Sequence, residues 1–248
     1  MQLLALSLDL DDTLWPVVPA IEHAERQLDQ WLRRRHPRIA DAFPVPALRR
    51  LRERISEQRP DLAHDFSAQR RLTLTTAFAA CGESTRGVDE AFEVYFEARN
   101  QVELYPDAAE ALERLARRLP LIGLTNGNAD LGRIGLERHF RFCLSAREAG
   151  CAKPATRIFH AACRRLGVPP EAVLHIGDDP ALDVVGARVA GLRSAWINRG
   201  GLRWEHGQAP DLEFNNLIAL ADWCDRHTGI ADAAPRSGAL ADSGSDRP

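Results

Sequence analysis

The chain has 248 residues, enough for one large domain with an insertion, and a formal net charge of -3. That balance gives no support to nucleic-acid or membrane-surface binding, both of which draw on a basic excess. Five cysteines (Cys81, Cys143, Cys151, Cys163, Cys224) stand scattered without a metal-ligand spacing, a pattern that fits a reducing cytoplasm better than a disulfide scaffold.

The first element is an apolar run from Leu3 to Leu8 that reads as a buried strand. No Lys or Arg precedes it and carboxylates follow it, so a signal peptide is not expected. No stretch reaches about 18 apolar residues, so no membrane span is expected either. The strand runs straight into Asp9-Leu10-Asp11-Asp12-Thr13. If the chain stays extended, Asp9 and Asp11 share one side with their side chains about 7 Å apart. Carboxylates gathered at the end of a buried strand repel one another unless a cation sits between them or protonation divides their roles.

From Val17 to Leu104 the pattern is helical and rich in charge. Ile21, Ala24, Leu28, Trp31 and Leu32 predict a helix that ends near His36-Pro37. Pro46 opens a second helix carrying Leu48, Leu51 and Ile55, and Phe66–Cys81 and Val88–Val102 predict two more. Four helices without strand alternation form a helical insertion with its own small core. Arg33, Arg34, Arg35, Arg49 and Arg50 read as solvated helix faces. The proline-bearing crossings at Pro16 to Pro19 and Leu104 to Pro106 are the expected hinges.

After Pro106 helices and strands alternate, which predicts a parallel sheet covered on both faces. The expected order is helix 108–118, strand 119–124, the turn Thr125-Asn126-Gly127-Asn128, helix 131–139 and a short strand 142–144. A loop with Lys153, helix 155–166, strand 173–176, Gly177-Asp178-Asp179-Pro180, helix 181–190 and strand 194–197 follow. A last strand and helix fall between Leu212 and His227. The tail from Gly229 holds almost no large apolar residue and is expected to be disordered.

Ligands of open α/β sheets bind at the carboxyl ends of the strands. Four polar clusters fall there: Asp9 to Thr13, Thr125 to Asn128, Lys153, and Asp178 to Asp183. Lys153 stands out because it is the one lysine among 32 Lys and Arg residues. Its position asks for a compact ammonium where a planar guanidinium does not fit. Carboxylates, an ammonium, a hydroxyl and glycine-containing turns together suit a hard divalent cation and a phosphate.

In this order the clusters Asp9-Leu10-Asp11-Asp12-Thr13, Thr125-Asn126, Lys153-Pro154 and Gly177-Asp178-Asp179 with Asp183 resemble the motifs of the haloacid-dehalogenase superfamily of hydrolases, in the subgroup with a helical cap inserted after the first strand. The resemblance spans Leu3 to His227. It implies an α/β, Rossmann-like parallel-sheet core from residues 1–16 and 105–228, an all-helical cap from 17–104, and a disordered tail, 229–248. It also implies roles. Asp9 is the nucleophile, Asp11 the general acid and base, and Lys153 a catalytic and phosphate-binding cation. Thr125, Asn126 and Gly127 bind the phosphoryl group. Mg²⁺ sits on Asp9, the Asp11 carbonyl and Asp178, and Thr13, Asp179 and Asp183 support these groups. Asp12 and Asp179 are equally readable as helix caps.

The implied activity is Mg²⁺-dependent hydrolysis of a small phosphomonoester, since halide displacement needs neither a proton donor nor a metal. Similarity in Leu10 to Leu14, Thr125 to Ala129, His175 to Asp179 and the insertion favours the bacterial phosphatases of flavin mononucleotide (FMN) and of 5-amino-6-(5-phospho-D-ribitylamino)uracil. Trp15 either stacks on such a heterocycle or packs against the insertion, and Arg70 and Arg71 either face the cleft or solvent. Alternatives are a broad sugar or nucleotide phosphatase, a phosphomutase, and a flavin-phosphate-binding regulator without turnover. A cytoplasmic location without nucleic-acid or membrane partners is expected. The oligomeric state is not readable.

Overall fold

The computed structural model describes residues 2–228. The expected disordered tail lies outside the described residues. Strand β1 (Ala5–Leu8) is buried at every residue, which explains its continuous apolar run. On one side it pairs with β2 (Leu121–Thr125), which pairs in turn with β3 (Cys143–Ser145). On the other it pairs with β4 (Val173–Gly177), followed by β5 (Arg193–Ile197) and β6 (Leu212–Phe214). All pairs are parallel, in the order β3-β2-β1-β4-β5-β6. The strand order changes direction between β1 and β4, and that switch point opens a crevice at their carboxyl ends.

Between β1 and the next core helix the chain forms five helices rather than the expected four. These are α1 (Val17–Arg35), α2 (Pro37–Ala42), α3 (Val45–Gln58), α4 (Phe66–Ala80) and α5 (Val88–Arg99). The extra helix, α2, begins at Pro37, because proline at the first helical position has no N–H to leave unpaired. The insertion encloses its own apolar cluster, with Leu28, Leu32, Ile39, Leu51, Phe78 and Phe92 inside.

Beyond it lie α6 (Ala108–Arg118), α7 (Leu131–Ile134), α8 (Ala146–Ala149), α9 (Thr156–Leu166), α10 (Gly186–Val189) and α11 (Leu217–His227). Several boundaries differ from expectation. β2 starts after Pro120, which has no amide to donate, and it extends to Thr125. The helix expected over 131–139 stops at Gly135, whose φ of 84° ends α7, and a 3-10 turn follows at Glu137–His139. α8 was not expected, although Ser145 and Glu148 form the reciprocal capping box that its sequence encodes. The helix expected over 181–190 begins as a π-turn, Pro180–Val185, where Val184 N–H reaches back to the Asp179 carbonyl at 3.3 Å. None of the described helices is long and apolar enough to cross a membrane.

Phe78 is fully buried in the cluster of the insertion. Phe78→Ala should lower unfolding stability by about 3–5 kcal/mol in urea titrations. A loss below about 1 kcal/mol would show that this cluster contributes little to the folded state.

Candidate active site

β1 ends at Leu8, and the five residues after it turn rather than run on. Leu14 N–H bonds to the Leu10 carbonyl at 2.8 Å, and Asp12 adopts a left-handed φ of 59°. The turn therefore replaces the extended geometry expected for Asp9 and Asp11 and sends their carboxylates to different partners. Asp9 is buried beneath the crevice, where its Oδ1 accepts from Lys153 Nζ at 2.5 Å. Asp11 Oδ1 accepts from Trp15 Nε1 at 2.8 Å and from Arg99 Nη2 at 2.6 Å. Asp12 caps α1, accepting from Val17 N–H at 2.8 Å, so the cap reading holds for it.

Lys153 arrives on the loop before α9. Its Nζ bridges Asp9 and Asp183, at 2.5 Å from Oδ1 of each, and only 4 % of the residue is exposed. The loop is fixed by Asn126, whose side-chain amide bonds Lys153 N–H at 2.7 Å and its carbonyl at 3.0 Å. In this geometry the Asn126 side chain positions the lysine. Thr125 is buried at the end of β2, and its hydroxyl accepts from Gly127 N–H at 2.9 Å. Gly127 must lack a side chain, since a Cβ there would overlap Asp11 Oδ2.

The end of β4 supplies the third wall. Asp178 Oδ1 accepts from the Thr13 hydroxyl at 3.0 Å, and Trp196 Nε1 holds the Asp178 carbonyl at 2.8 Å. Asp179 caps the π-turn through Ala181 and Leu182 N–H groups, and its own N–H holds Asp183 Oδ2 at 3.0 Å. Gly177 leaves the space that Asp183 fills, because a Cβ there would overlap the Asp183 carboxylate.

Asp9, Asp178 and Asp183 each offer an oxygen within 4.8 Å of the others. Burial pushes Asp9 well above the usual carboxylate range, against the pull of Lys153. Burial, helped by the charge of Asp183, pushes Asp178 up to about 7. Burial would raise Asp183 too, yet Lys153 and His175 hold it far below the usual range. Burial opposes the charge on Lys153, but Asp183 and Asp9 outweigh it and raise its pKa. Asp183 Oδ1 already serves Lys153 and His175 Nε2, and its Oδ2 serves Asp179 N–H. Asp9 and Asp178 remain as the pair whose ionisation a bound cation would relieve. The cluster has the donor set of a hard divalent metal site.

Two residues proposed for substrate contact sit elsewhere. Trp15 is fully buried in the main core and presents its N–H to Asp11, so its ring is no stacking surface. Arg70 is buried inside the insertion, stacked on the Tyr95 ring at 4.1 Å and 3.9 Å from Glu25. Its place on α4, four residues before Leu74, puts it on the apolar face that packs inward. Arg71 lies over Phe92 and pairs with Asp89.

Residues 4–191 match the model of the haloacid dehalogenase-like hydrolase family. The chain belongs to that family. It is similar to the 5-amino-6-(5-phospho-D-ribitylamino)uracil phosphatase YigB of Escherichia coli K12, with 33 % identity over 87 % of this chain and 94 % of the relative. A phosphoserine phosphatase of Thermus thermophilus is 40 % identical over 57 % of this chain and 59 % of its own. Among solved structures, a 2-haloacid dehalogenase from Pseudomonas syringae pv. tomato DC3000 superposes with a TM-score of 0.85 at 38 % identity, over 91 % of this chain and 99 % of the other. The hydrolase thus has relatives of both chemistries.

Sequence reasoning missed three residues of this site. Arg99 reaches Asp11 from the insertion. Arg199 lies over Tyr105, pairs with Asp107 at 3.0 Å and holds the Thr13 carbonyl at 3.0 Å. His175, between Ser7 and Asp183 at 3.0 and 3.1 Å, is kept neutral by burial.

The folded chain holds the Asp178 proton more tightly than the unfolded chain does. Its contribution to stability is therefore full below about pH 4 and is lost as pH rises through about 7. Asp183, held far below the usual range, acts in the opposite sense: its contribution is full above about pH 4 and is lost only as the pH falls into strong acid. Thermal melts of the metal-free protein should show a fall in Tm between pH 4 and 8 that Asp178→Asn reduces. A divalent cation at pH 8 should raise the wild-type Tm more than that of the variant. Equal responses in both proteins would remove Asp178 from the metal site.

Proposed function

We propose that this hydrolase is a Mg²⁺-dependent phosphomonoesterase that works through an aspartyl-phosphate on Asp9. The observation that carries the reading is the pairing of two carboxylates with different surroundings, Asp9 on the Lys153 ammonium and Asp11 over the Gly127 turn. Asp9 would attack phosphorus as the ester P–O bond breaks, while Asp11 gives its proton to the departing alkoxide. Asp11 then takes a proton from the water that attacks the aspartyl-phosphate, which releases phosphate and restores Asp9. The Thr125 hydroxyl and Lys153 would hold the phosphoryl oxygens. Asp9, Asp178 and the Asp11 carbonyl would hold Mg²⁺, whose charge offsets that of the phosphate and of the buried acids.

Against dehalogenation stand Asp11 and Asp178. A halide departs without a proton, so Asp11 would have no task, and the raised pKa of Asp178 would go without a cation to offset it.

A cavity of about 320 Å³ adjoins Gly127, between the start of α4 and the loops after β2 and β3. Phe66, Phe96, Phe140 and Phe142 give it apolar surface, and Ser67 and Asn128 give it polar groups. Its volume lies at the lower end of small-molecule sites. Flat rings with a polar rim fit this mixture, which supports FMN or the ribitylamino-uracil phosphate named for the YigB relative. A reducing cytoplasm is the location that the free cysteines favour.

The test is phosphate release from a panel of phosphomonoesters that includes FMN, the ribitylamino-uracil phosphate, sugar phosphates, nucleotides and p-nitrophenyl phosphate. Release should require Mg²⁺, and Asp9→Asn should lower it more than about 1,000-fold. The highest kcat/KM should fall on a ribityl phosphate, whereas preference for sugar or nucleotide phosphates would favour the broader reading. FMN binding without any release would favour a regulator, and chloride release from a 2-chloroalkanoate without metal would favour a dehalogenase.

A further inference from the structure

Arg99 is the last residue of α5 and belongs to the insertion, yet its side chain ends at the turn after β1. It is 1 % exposed, and its Nη2 donates to both Asp11 oxygens, at 2.6 Å to Oδ1 and 2.8 Å to Oδ2. Its Nε and Nη1 have no hydrogen-bond partner among the described residues. A buried guanidinium that uses one nitrogen of three is a poor stabilising device, because the orphaned N–H groups keep their desolvation penalty. What the arrangement does supply is a geometric constraint on one carboxylate.

Asp11 is held from two directions. Oδ1 also accepts from Trp15 Nε1, four residues along the same loop. A single bond to a single oxygen leaves a carboxylate free to turn about Cβ–Cγ. Arg99 supplies the second point, on Oδ2, the oxygen that lies over Gly127 beside the phosphate-binding turn. The two anchors come from different parts of the chain, one from the sheet side and one from the insertion.

On the phosphatase reading, on which this inference rests, we propose that Arg99 is a positioning residue that aims Asp11 Oδ2 at the oxygen leaving phosphorus. Seating of the insertion is thereby coupled to proton transfer. In the step it serves, an Asp9 oxygen forms a bond to phosphorus, the P–O bond to the alcohol breaks, and the Asp11 proton passes to the alkoxide.

The test compares kcat/KM for two esters, because that ratio covers only the steps through departure of the alcohol. p-Nitrophenyl phosphate loses a stabilised phenolate and gains little from a proton donor, whereas an alkyl phosphate depends on one. The alkyl ester is the one that the wild-type protein hydrolyses fastest in the panel above. Arg99→Met should lower the alkyl-to-aryl ratio about 10- to 100-fold, a share of what a general acid contributes. Arg99→Lys, which keeps one donor, should recover part of that loss. On an Asp11→Asn background Arg99→Met should not lower the ratio further.

Hydrolysis of the aryl ester reports that each variant is folded, and if Arg99→Met does not fold, Arg99→Lys carries the comparison. An equal fall for both esters, with the ratio unmoved, would overturn the proposal, as would a further fall in the ratio on the Asp11→Asn background. A wild-type protein that releases phosphate from neither ester would overturn the phosphatase reading, and this inference with it.

Discussion

One ammonium among three clustered carboxylates, two of them buried, is the constraint on which the rest of the site depends. Lys153 lies 2.5 Å from both Asp9 and Asp183, while Asp178 stands within the same cluster and has no cationic partner of its own among the described residues. In a low-dielectric setting each uncompensated charge is expensive, so the cluster settles by dividing its protons. Asp183 takes the ammonium, the His175 ring and a backbone N–H, and is driven deep into its ionised form. Asp9 and Asp178 are left with raised pKa values and an affinity for positive charge. That imbalance suits the crevice to a bound cation.

The same constraint explains why the lysine is a lysine in a chain that otherwise uses arginine. An ammonium concentrates its donors on one small head and can meet two carboxylates at short distance from a narrow channel. A guanidinium instead fixes its donors in a rigid planar fork. Placement matters as much as chemistry. Asn126 clamps the lysine's own peptide groups from the end of β2, and Gly177 leaves room for Asp183 from the end of β4. Three strand ends therefore converge on one lysine, and parallel pairing of β1 with β2 and β4 is what brings them together.

The sheet, its helical insertion and the charged clusters were legible because each leaves a pattern in the chain. Buried parallel strands show as apolar runs, and carboxylates directly after such runs are hard to explain by structure alone. Side-chain direction left no such mark. Trp15 gave an ambiguous signal, and the turn at Asp12, invisible in the alternation of residue types, swings its indole into the core. Arg70 could have been placed from its spacing to Leu74, but a charged residue on an apolar helix face reads as exposed unless its partners are known. Arg99 and Arg199 were hidden by abundance. With arginine so common, only tertiary contact separates the two that touch the site from those on solvated faces.

Family membership leaves the choice between carbon–halogen and phosphorus–oxygen cleavage open, since relatives of both kinds align with this chain. Overall similarity is a weak guide here. The superposition on a dehalogenase reports the sheet and the insertion, which serve either reaction. The two reactions differ in what leaves. Halide is a stable anion and asks for a pocket that solvates it, whereas an alkoxide asks for a proton and its phosphate asks for positive charge. The relevant residues are thus Asp11, which a halide would leave idle, and Asp178, whose burial is unfavourable without a cation. Both acids carry specific support: Trp15 and Arg99 on Asp11, and Thr13 and the Trp196-held carbonyl on Asp178. Carboxylates held this carefully beside Asp9 are what the proposed phosphomonoesterase needs, because its leaving group takes a proton.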